Sequence, residues 1–303
     1  MKIFVLAPNE SWIADRQVQE WNEDNTDITT HNLRDADCIW LFADWCFDKV
    51  PYEFLQKLPV LTTIHHIVPQ KFDAVAQQQF MRRDAITDVY HVPNDNTLNF
   101  IKKYTNKPIV KIPYWANQKV WKISESKNDL RTKYGIPSDA LVVGSFQRDT
   151  EGHDLKSPKL EKGPDLFADY VEQLAKNGKV HVVLSGWRRQ YLINRLNQAS
   201  VPYTYKEMPP LNVVCELYQT LDLYVVSSRY EGGPQSLIEC GLLDVPCISR
   251  DMGMSREVLP PQSVNDDLLL AIPTIPNVER LKLPVGYAEY RKLLKELVEK
   301  GKK

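Results

Sequence analysis

Cysteine is scarce in this 303-residue chain: Cys38, Cys46, Cys215, Cys240 and Cys247 are the whole set, and no Cys-x-x-Cys spacing occurs. An odd count without paired spacing speaks against a disulfide framework and against a zinc site, and predicts reduced, mostly buried thiols in a cytoplasmic protein. Charge of one sign is not in excess either. Lys and Arg number 38 against 39 Asp and Glu, a formal net charge of -1. No general basic field gathers nucleic acid, so no nucleic-acid partner is expected. No apolar run approaches the roughly 20 residues that span a bilayer. The opening apolar run meets Pro8, Asn9 and Glu10 too soon for a signal peptide, and reads as a first strand. Glycine is missing from the loop that follows it, Ala7 to Trp12. Internal repeats and low-complexity segments are absent.

What remains is ordinary globular material, 43% hydrophobic and 25% charged, in a length that suits two domains. Short apolar runs alternate with helical patterns. Strands are expected at Val5 and its neighbours, Ile39 to Phe42, Val60 to Ile64, Val89 to Val92 and Ile109 to Ile112. Helices are expected between them at Phe72 to Ala85 and Leu98 to Tyr104. After a polar stretch from Lys119 to Asn128 the rhythm restarts, with strands at Leu141 to Phe146, Val180 to Leu184, Leu223 to Val226 and Pro246 to Ser249. A helix is expected at Leu166 to Lys176, and a terminal one over Tyr287 to Lys300, with Leu293, Leu294 and Leu297 at helical spacing and Lys300, Lys302 and Lys303 suiting its C-terminus. This pattern predicts an α/β chain of two Rossmann-like domains facing across a cleft: 1–118, 119–285, and a terminal helix 286–303 that packs back on the first. Parallel sheets bind ligands beyond the carboxyl ends of their strands, which directs attention to the residues there.

The segment Ser227 to Leu259 carries the most chemistry. A strand ends near Val226, a turn holds Glu231, Gly232 and Gly233, and Pro234 opens a helix through Gln235 and Ser236. Free N–H groups at a helix start, with glycines that allow close approach, make a phosphate cradle. Glu231 and Glu239, with seven residues between them, do not favour phosphate. Their fitting task is to accept hydrogen bonds from sugar hydroxyls. Phosphate cradle and hydroxyl acceptors together suit a nucleotide sugar. By themselves, two glutamates at this spacing also suit a solvated helix face.

In order, Ser228, Glu231, Gly232, Pro234, Glu239, Gly241, Pro246, Gly253 and Glu257 resemble the donor-site signature of family 4 of the GT-B-fold retaining glycosyltransferases, the glycosyl transferases group 1. The resemblance implies that Glu231 contacts the donor sugar and Glu239 the ribose. It also implies a diphosphate clamp at Arg148, with Lys156 and Lys159 as alternatives for the place nearest phosphate, and at Lys162, which stands before Gly163 and Pro164, and a histidine facing the donor sugar, which falls on His65. Arg148, Lys162, Gly232, Gly233, Pro234, Gln235, Ser236 and Glu239 are thus the candidate donor-binding residues, and His65 and Glu231 the candidate catalytic ones. Adjacent His65 and His66 face opposite ways and do not suit a metal pair.

The chain departs from the family in three places. The stretch from Gln147 to Glu161 is longer than usual, the first-strand loop lacks glycine, and Tyr114-Trp115 stands where Asn-Gly is common. The implied activity is transfer of a sugar from a nucleoside-diphosphate sugar to an acceptor hydroxyl, with retention, no cofactor and no bound metal. A glycan, a lipid-linked sugar or another hydroxyl compound would be the acceptor; nothing in the sequence indicates peripheral membrane contact. Three alternatives compete: a non-catalytic nucleotide-sugar binder, a nucleotide-sugar epimerase of the same fold, and an interaction protein using the Trp- and Tyr-rich first half.

Overall fold

The computed structural model describes residues 1–10 and 13–302. Ser11 and Trp12, in the glycine-free loop, and Lys303, in the basic tail, lie outside the described residues. The chain divides into two compact units, Met1–Trp115 with Leu283–Lys303, and Ala116–Lys282. The sequence reading set the divisions at 118 and 285.

The first unit alternates β1 (Ile3–Leu6), α1 (Ile13–Asp24), β2 (Cys38–Leu41), α2 (Tyr52–Lys57), β3 (Val60–Thr63), α3 (Ala74–Asp84), β4 (Val89–Val92), α4 (Asp95–Ile101) and β5 (Ile109–Lys111). Its strands pair in parallel in sequence order, β1-β2-β3-β4-β5. Every residue of β2 and β3 is buried, as expected of strands covered on both faces. Two helices start elsewhere than the apolar spacing indicates. The Asp73 carboxylate accepts from the N–H groups of Val75 and Ala76 at 3.0 and 2.9 Å, so α3 begins at Ala74 and not at Phe72. The Asn94 side chain accepts from Thr97 N at 2.8 Å, which starts α4 at Asp95 and not at Leu98. Both are side-chain caps for N–H groups that the helix itself leaves unpaired.

The second unit runs α5 (Lys127–Tyr134), β6 (Leu141–Ser145), β7 (Thr150–Glu151), β8 (Ser157–Pro158), α6 (Pro164–Ala175), β9 (Val180–Ser185), α7 (Gln190–Gln198), β10 (Tyr203–Lys206), α8 (Leu211–Gln219), β11 (Leu223–Val226), α9 (Gln235–Leu242), β12 (Cys247–Ser249) and α10 (Ser255–Val258). Its main sheet is parallel with the order β10-β9-β6-β11-β12. This is a Rossmann order: the chain builds outward from β6 in one direction, then returns to build from β11 in the other. The strand order therefore reverses between β6 and β11, the place where open parallel sheets form a ligand crevice. The long stretch after β6 is not an open loop. It folds into the antiparallel β7–β8 hairpin, with Thr150 opposite Pro158. The edge strand β10 escaped the sequence reading because its residues are only partly covered.

The C-terminal helix α11 (Ala288–Lys300) belongs to the first unit. Tyr290, Leu293, Leu294 and Leu297 join a core with Trp21, Trp40 and Trp115. Tyr290 stacks on Trp40 at 5.4 Å and meets the edge of Trp115 at the same distance. Such pairs contribute beyond their buried area. Polar contacts pin the helix at both ends. Arg291 reaches Asp27 at 2.6 Å, and Lys302 reaches Asp88 at 2.7 Å and the Ile86 carbonyl at 2.8 Å. These three tryptophans are core and not display, each at most 1% exposed, whereas Trp45 of the same unit is 41% exposed. All five cysteines are free and buried. No helix among the described residues is long and apolar enough to cross a membrane.

Tyr290 has no accessible surface, and its hydroxyl donates to the Pro113 carbonyl at 3.2 Å. Tyr290→Ala should therefore destabilise the first unit by about 3–5 kcal/mol, the range for large aromatic truncations. Tyr290→Phe should cost about 1 kcal/mol, since only a hydrogen bond is lost. Urea unfolding followed by tryptophan fluorescence measures both, and equal losses for the two variants would contradict the packing role.

Candidate active site

At the strand-order reversal of the second unit, the segment after β6 (Phe146, Gln147, Arg148) meets the segment after β11 (Ser227 to Glu231). Lys162 Nζ lies 2.5 Å from Glu231 Oε1. Ser228 Oγ donates to the same carboxylate oxygen at 3.0 Å. Gln147 ties the two strand ends together: its amide donates to the Lys162 carbonyl at 2.8 Å, and its oxygen lies 3.1 Å from the Ser228 hydroxyl, whose single hydrogen it shares with Glu231. The backbone is sewn in the same way. The N–H groups of Arg229 and Tyr230 donate to the Glu161 carbonyl at 2.8 and 3.1 Å, and Arg229 grips both Asp165 oxygens at 2.8 and 2.6 Å. The Lys162 turn and the Glu231 turn thus form one rigid piece.

Gly163 makes this closeness achievable. It holds a left-handed backbone, φ 61°, and a Cβ there would fall 2.0 Å from the Ser227 carbonyl oxygen. No side chain fits, and none favours the conformation. Pro164 then opens α6, where a missing N–H is harmless. The hairpin before it is anchored from beneath. Fully buried Arg189 binds Asp149 at 2.6 Å and the Ser145 carbonyl at 2.5 Å, and also donates to the Ser185 carbonyl.

Glu239 lies in the second turn of α9, buried to 7% exposure. Tyr218 donates to its Oε2 at 2.7 Å. Burial first, and then the Glu239 charge, push the Tyr218 hydroxyl well above its ordinary range, so it remains a donor. A carboxylate has more acceptor capacity than one such bond uses. Pro234 does not occupy the first helical position, as the sequence suggests, but the capping position before it; its ψ of 110° is extended and α9 begins at Gln235. The leading N–H groups of the helix are therefore those of Gln235 and Ser236. Gln235 Nε2, at the same helix start, is buried without a hydrogen-bond partner. Gly232 and Gly233 complete the turn, and a Cβ at Gly253 (φ 56°) would fall 3.0 Å from the Gly232 carbonyl oxygen.

The sequence couples Arg148 with Lys162, and the structure sends Arg148 elsewhere. Its Nε donates to the Thr150 carbonyl at 2.9 Å and its guanidinium lies 4.9 Å from the Trp187 ring centroid. Trp187, half exposed, draws it by cation–π attraction. Sequence reasoning missed Gln147, Tyr218 and Arg189, none of which stands in a motif.

His65 follows β3 in the first unit and is buried. Its Nε2 donates to the Phe42 carbonyl at 2.8 Å, because a carbonyl only accepts. Nδ1 is then the acceptor of the Tyr114 hydroxyl. Burial, with the nearby His66 and His91, pushes the His65 pKa down to about 3; burial pushes that of His91 to about 4. Neither ring is charged at neutral pH. Both pKa values lie below the ordinary 6.5, so the unfolded chain binds these protons first. Stability is full above pH 6.5 and falls as pH drops toward 4, by about 1.4 kcal/mol per pH unit for each histidine. Urea midpoints between pH 7 and pH 5 should show this decline, and His91→Gln should roughly halve its slope, since His65 still contributes; a midpoint that is level with pH would refute the buried neutral state.

Gly163→Ala should disrupt the turn at Lys162 more than any nearby exposed change. We expect a loss of more than about 2 kcal/mol, from left-handed strain and the clash together. Thermal unfolding compared with Gly178→Ala, where a Cβ meets nothing within 4 Å, checks it. Equal melting temperatures would show that the turn can relax.

Known proteins resemble the chain in sequence over part of its length and in fold. Residues 156–300, just under half of the chain, match the family glycosyl transferases group 1. A search of curated proteins finds no match. Among solved structures, HepE of Anabaena in complex with UDP and glucose is 13% identical, with a TM-score of 0.71, covering 89% of this chain and 87% of that one. Sucrose-phosphate synthase of Thermosynechococcus elongatus is 15% identical, with a TM-score of 0.57 and coverage of 98% and 76%. A UDP-forming trehalose-phosphate synthase of Burkholderia xenovorans is 14% identical, with a TM-score of 0.58 and coverage of 88% and 70%. Residues 156–300 thus carry the glycosyl transferases group 1 sequence, in a chain whose two Rossmann-like units have the GT-B fold.

Proposed function

We propose that this protein is a glycosyltransferase that moves a sugar from a nucleoside-diphosphate sugar to an acceptor hydroxyl, with retention of anomeric configuration. One observation carries the reading: Lys162 and Glu231 meet at 2.5 Å where the strand order of the second unit reverses, beside the start of α9. A cation, a hydroxyl acceptor and free helix N–H groups at one strand end suit a sugar diphosphate. The match to glycosyl transferases group 1 over the same residues supports it.

In this reading Glu239 accepts the ribose hydroxyls, with Tyr218 fixing its orientation. Glu231 accepts from the donor sugar. Lys162 and the N–H groups of Gln235 and Ser236 meet the diphosphate, whose negative charge grows as the glycosidic bond breaks. Arg148 joins them by leaving the Thr150 carbonyl. These groups take the place of a divalent ion, so no metal is required. His65, with both ring nitrogens engaged, acts as a positioning residue of the first unit. The protein's five free, buried thiols support a reducing, cytoplasmic setting.

UDP is the first nucleotide to try, since HepE of Anabaena was solved with it. UDP at 100 times its dissociation constant should stabilise the protein by about 2.7 kcal/mol. Glu239→Ala should weaken UDP itself. Glu231→Ala should leave UDP affinity intact and depress sugar transfer. Lys162→Ala should lower kcat on the order of 100-fold to 1000-fold while raising the donor KM only modestly, as for a contact strongest in the transition state. Turnover should persist in excess EDTA. Equal loss of UDP binding in both glutamate variants would refute the division of roles. Donor conversion without any acceptor would instead identify an isomerase.

A further inference from the structure

Trp187 is a large aromatic side chain left 48% exposed at the carboxyl edge of the second unit's sheet. It stands just after β9, as Arg148 stands just after β6, and the two strands are neighbours with Ser145 opposite Leu184. The turn that carries it is closely built. Gly186 before it is left-handed, φ 97°, and a Cβ there would fall 3.3 Å from the Phe146 carbonyl oxygen. Arg188 after it is left-handed too, φ 55°, a conformation that few side chains favour. Its carbonyl accepts from the N–H groups of Asp149 and Thr150 at 3.2 and 3.1 Å, and Tyr191 N donates to Thr150 Oγ1 at 2.8 Å. An indole exposed on so fastened a backbone is presented, not loosely left out, and strain kept beside it points to a task.

What the ring holds is two cations. The Arg148 guanidinium lies 4.9 Å from its centroid and that of Arg188 4.5 Å. Each has one further acceptor, a carbonyl of the β7–β8 hairpin: Thr150 for Arg148 at 2.9 Å, and Gly152 for Arg188 at 3.1 Å. Neither forms an ion pair among the described residues. Such a hold is light. An exposed cation–π contact and a bond to a neutral carbonyl are weaker than the bidentate grip of a guanidinium on phosphate oxygens. Two guanidinium charges on one ring also lie within the roughly 10 Å over which charges still repel at 0.1 M salt. That repulsion favours the departure of one. Arg148 has the nearer destination, because it follows Gln147, whose side chain already touches the Lys162 carbonyl.

We propose that Trp187 is a positioning residue for donor binding: it parks Arg148 beside the hairpin and yields it to the arriving diphosphate, while Arg188 stays on the ring. That the arriving group is a diphosphate rests on the proposed function. Part of the binding energy is then spent on parting Arg148 from the indole, so the ring sets donor affinity through an arginine and not by touching the donor.

Calorimetric titration of the intact chain with UDP, GDP and ADP tests this, carried on with whichever binds most tightly. Trp187→Leu should tighten that nucleotide about twofold to fivefold, the worth of one exposed cation–π contact. Trp187→Phe, a weaker ring, should tighten it less. In an Arg148→Ala background Trp187→Leu should change nothing, a coupling that a merely structural role would not produce. Circular dichroism and melting temperature check that each variant is folded. Weakening by Trp187→Leu, or the same tightening with and without Arg148, overturns the parking role while leaving the proposed function intact. If none of the three nucleotides binds the parent protein, the proposed function fails and this role with it.

Discussion

The parallel pairing of β11 with β6 is the constraint on which the second unit's site depends. These are the two strands from which the chain builds outward in opposite directions, so neither connecting segment covers the other's carboxyl end. The space left open is bounded by whatever follows each strand. Here that is Gln147 on one side and Ser228 with Glu231 on the other. Gln147, spanning from the Lys162 carbonyl to Ser228, is the clearest sign that the two ends are fastened to one another. Arg229, gripping Asp165, does the same one layer further out.

The first unit solves a different problem. Its five strands follow sequence order, and the sheet needs cover that its own short helices do not fully give. The cover arrives from the far end of the chain. The helix α11 inserts Tyr290 among Trp21, Trp40 and Trp115, so residues from opposite ends of the chain form one core. A chain of hydrogen bonds follows the same path. Trp40 donates to Thr63 at 2.8 Å, Thr63 lies 3.0 Å from His91, and His91 donates to the Ile112 carbonyl at 2.8 Å. Buried polar groups linked in this way rigidify a core only when each is satisfied, and here each finds a partner.

Much of this was legible in the sequence, and the reason differs from element to element. Buried parallel strands read as apolar runs, and most were placed within a residue or two. Glu231, Glu239 and Lys162 stood out because their setting is local: a strand end, glycines, then a helix, all within a few residues. The start of α4 was misplaced because Asn94 and Thr97 look like loop until the capping bond is seen. The direction of Arg148 was illegible for a stronger reason. It is set by Trp187, which follows a different strand, and no spacing rule links the two. Arg189 and Tyr218 are hidden in the same way; each acts through a partner that only the folded sheet brings near.

The pairing of Lys162 with Glu231 has a consequence for how such a site meets a diphosphate. Both side chains are mostly covered, at 18% and 13% exposure, so an unpaired ammonium or carboxylate there would carry a desolvation penalty. Paired, they hold one another in place before any ligand arrives, and Ser228 fixes the shared oxygen further. In the proposed function the diphosphate brings more charge than Glu231 holds, and Lys162 can approach it without fully leaving its partner, since an ammonium has three donors. The glutamate then turns its other oxygen to the sugar. The ion pair therefore does not compete with catalysis. In the proposed function it keeps the cation oriented in a mostly covered place where, alone, it would turn toward water, and little reorganisation is left for the moment at which the leaving charge develops.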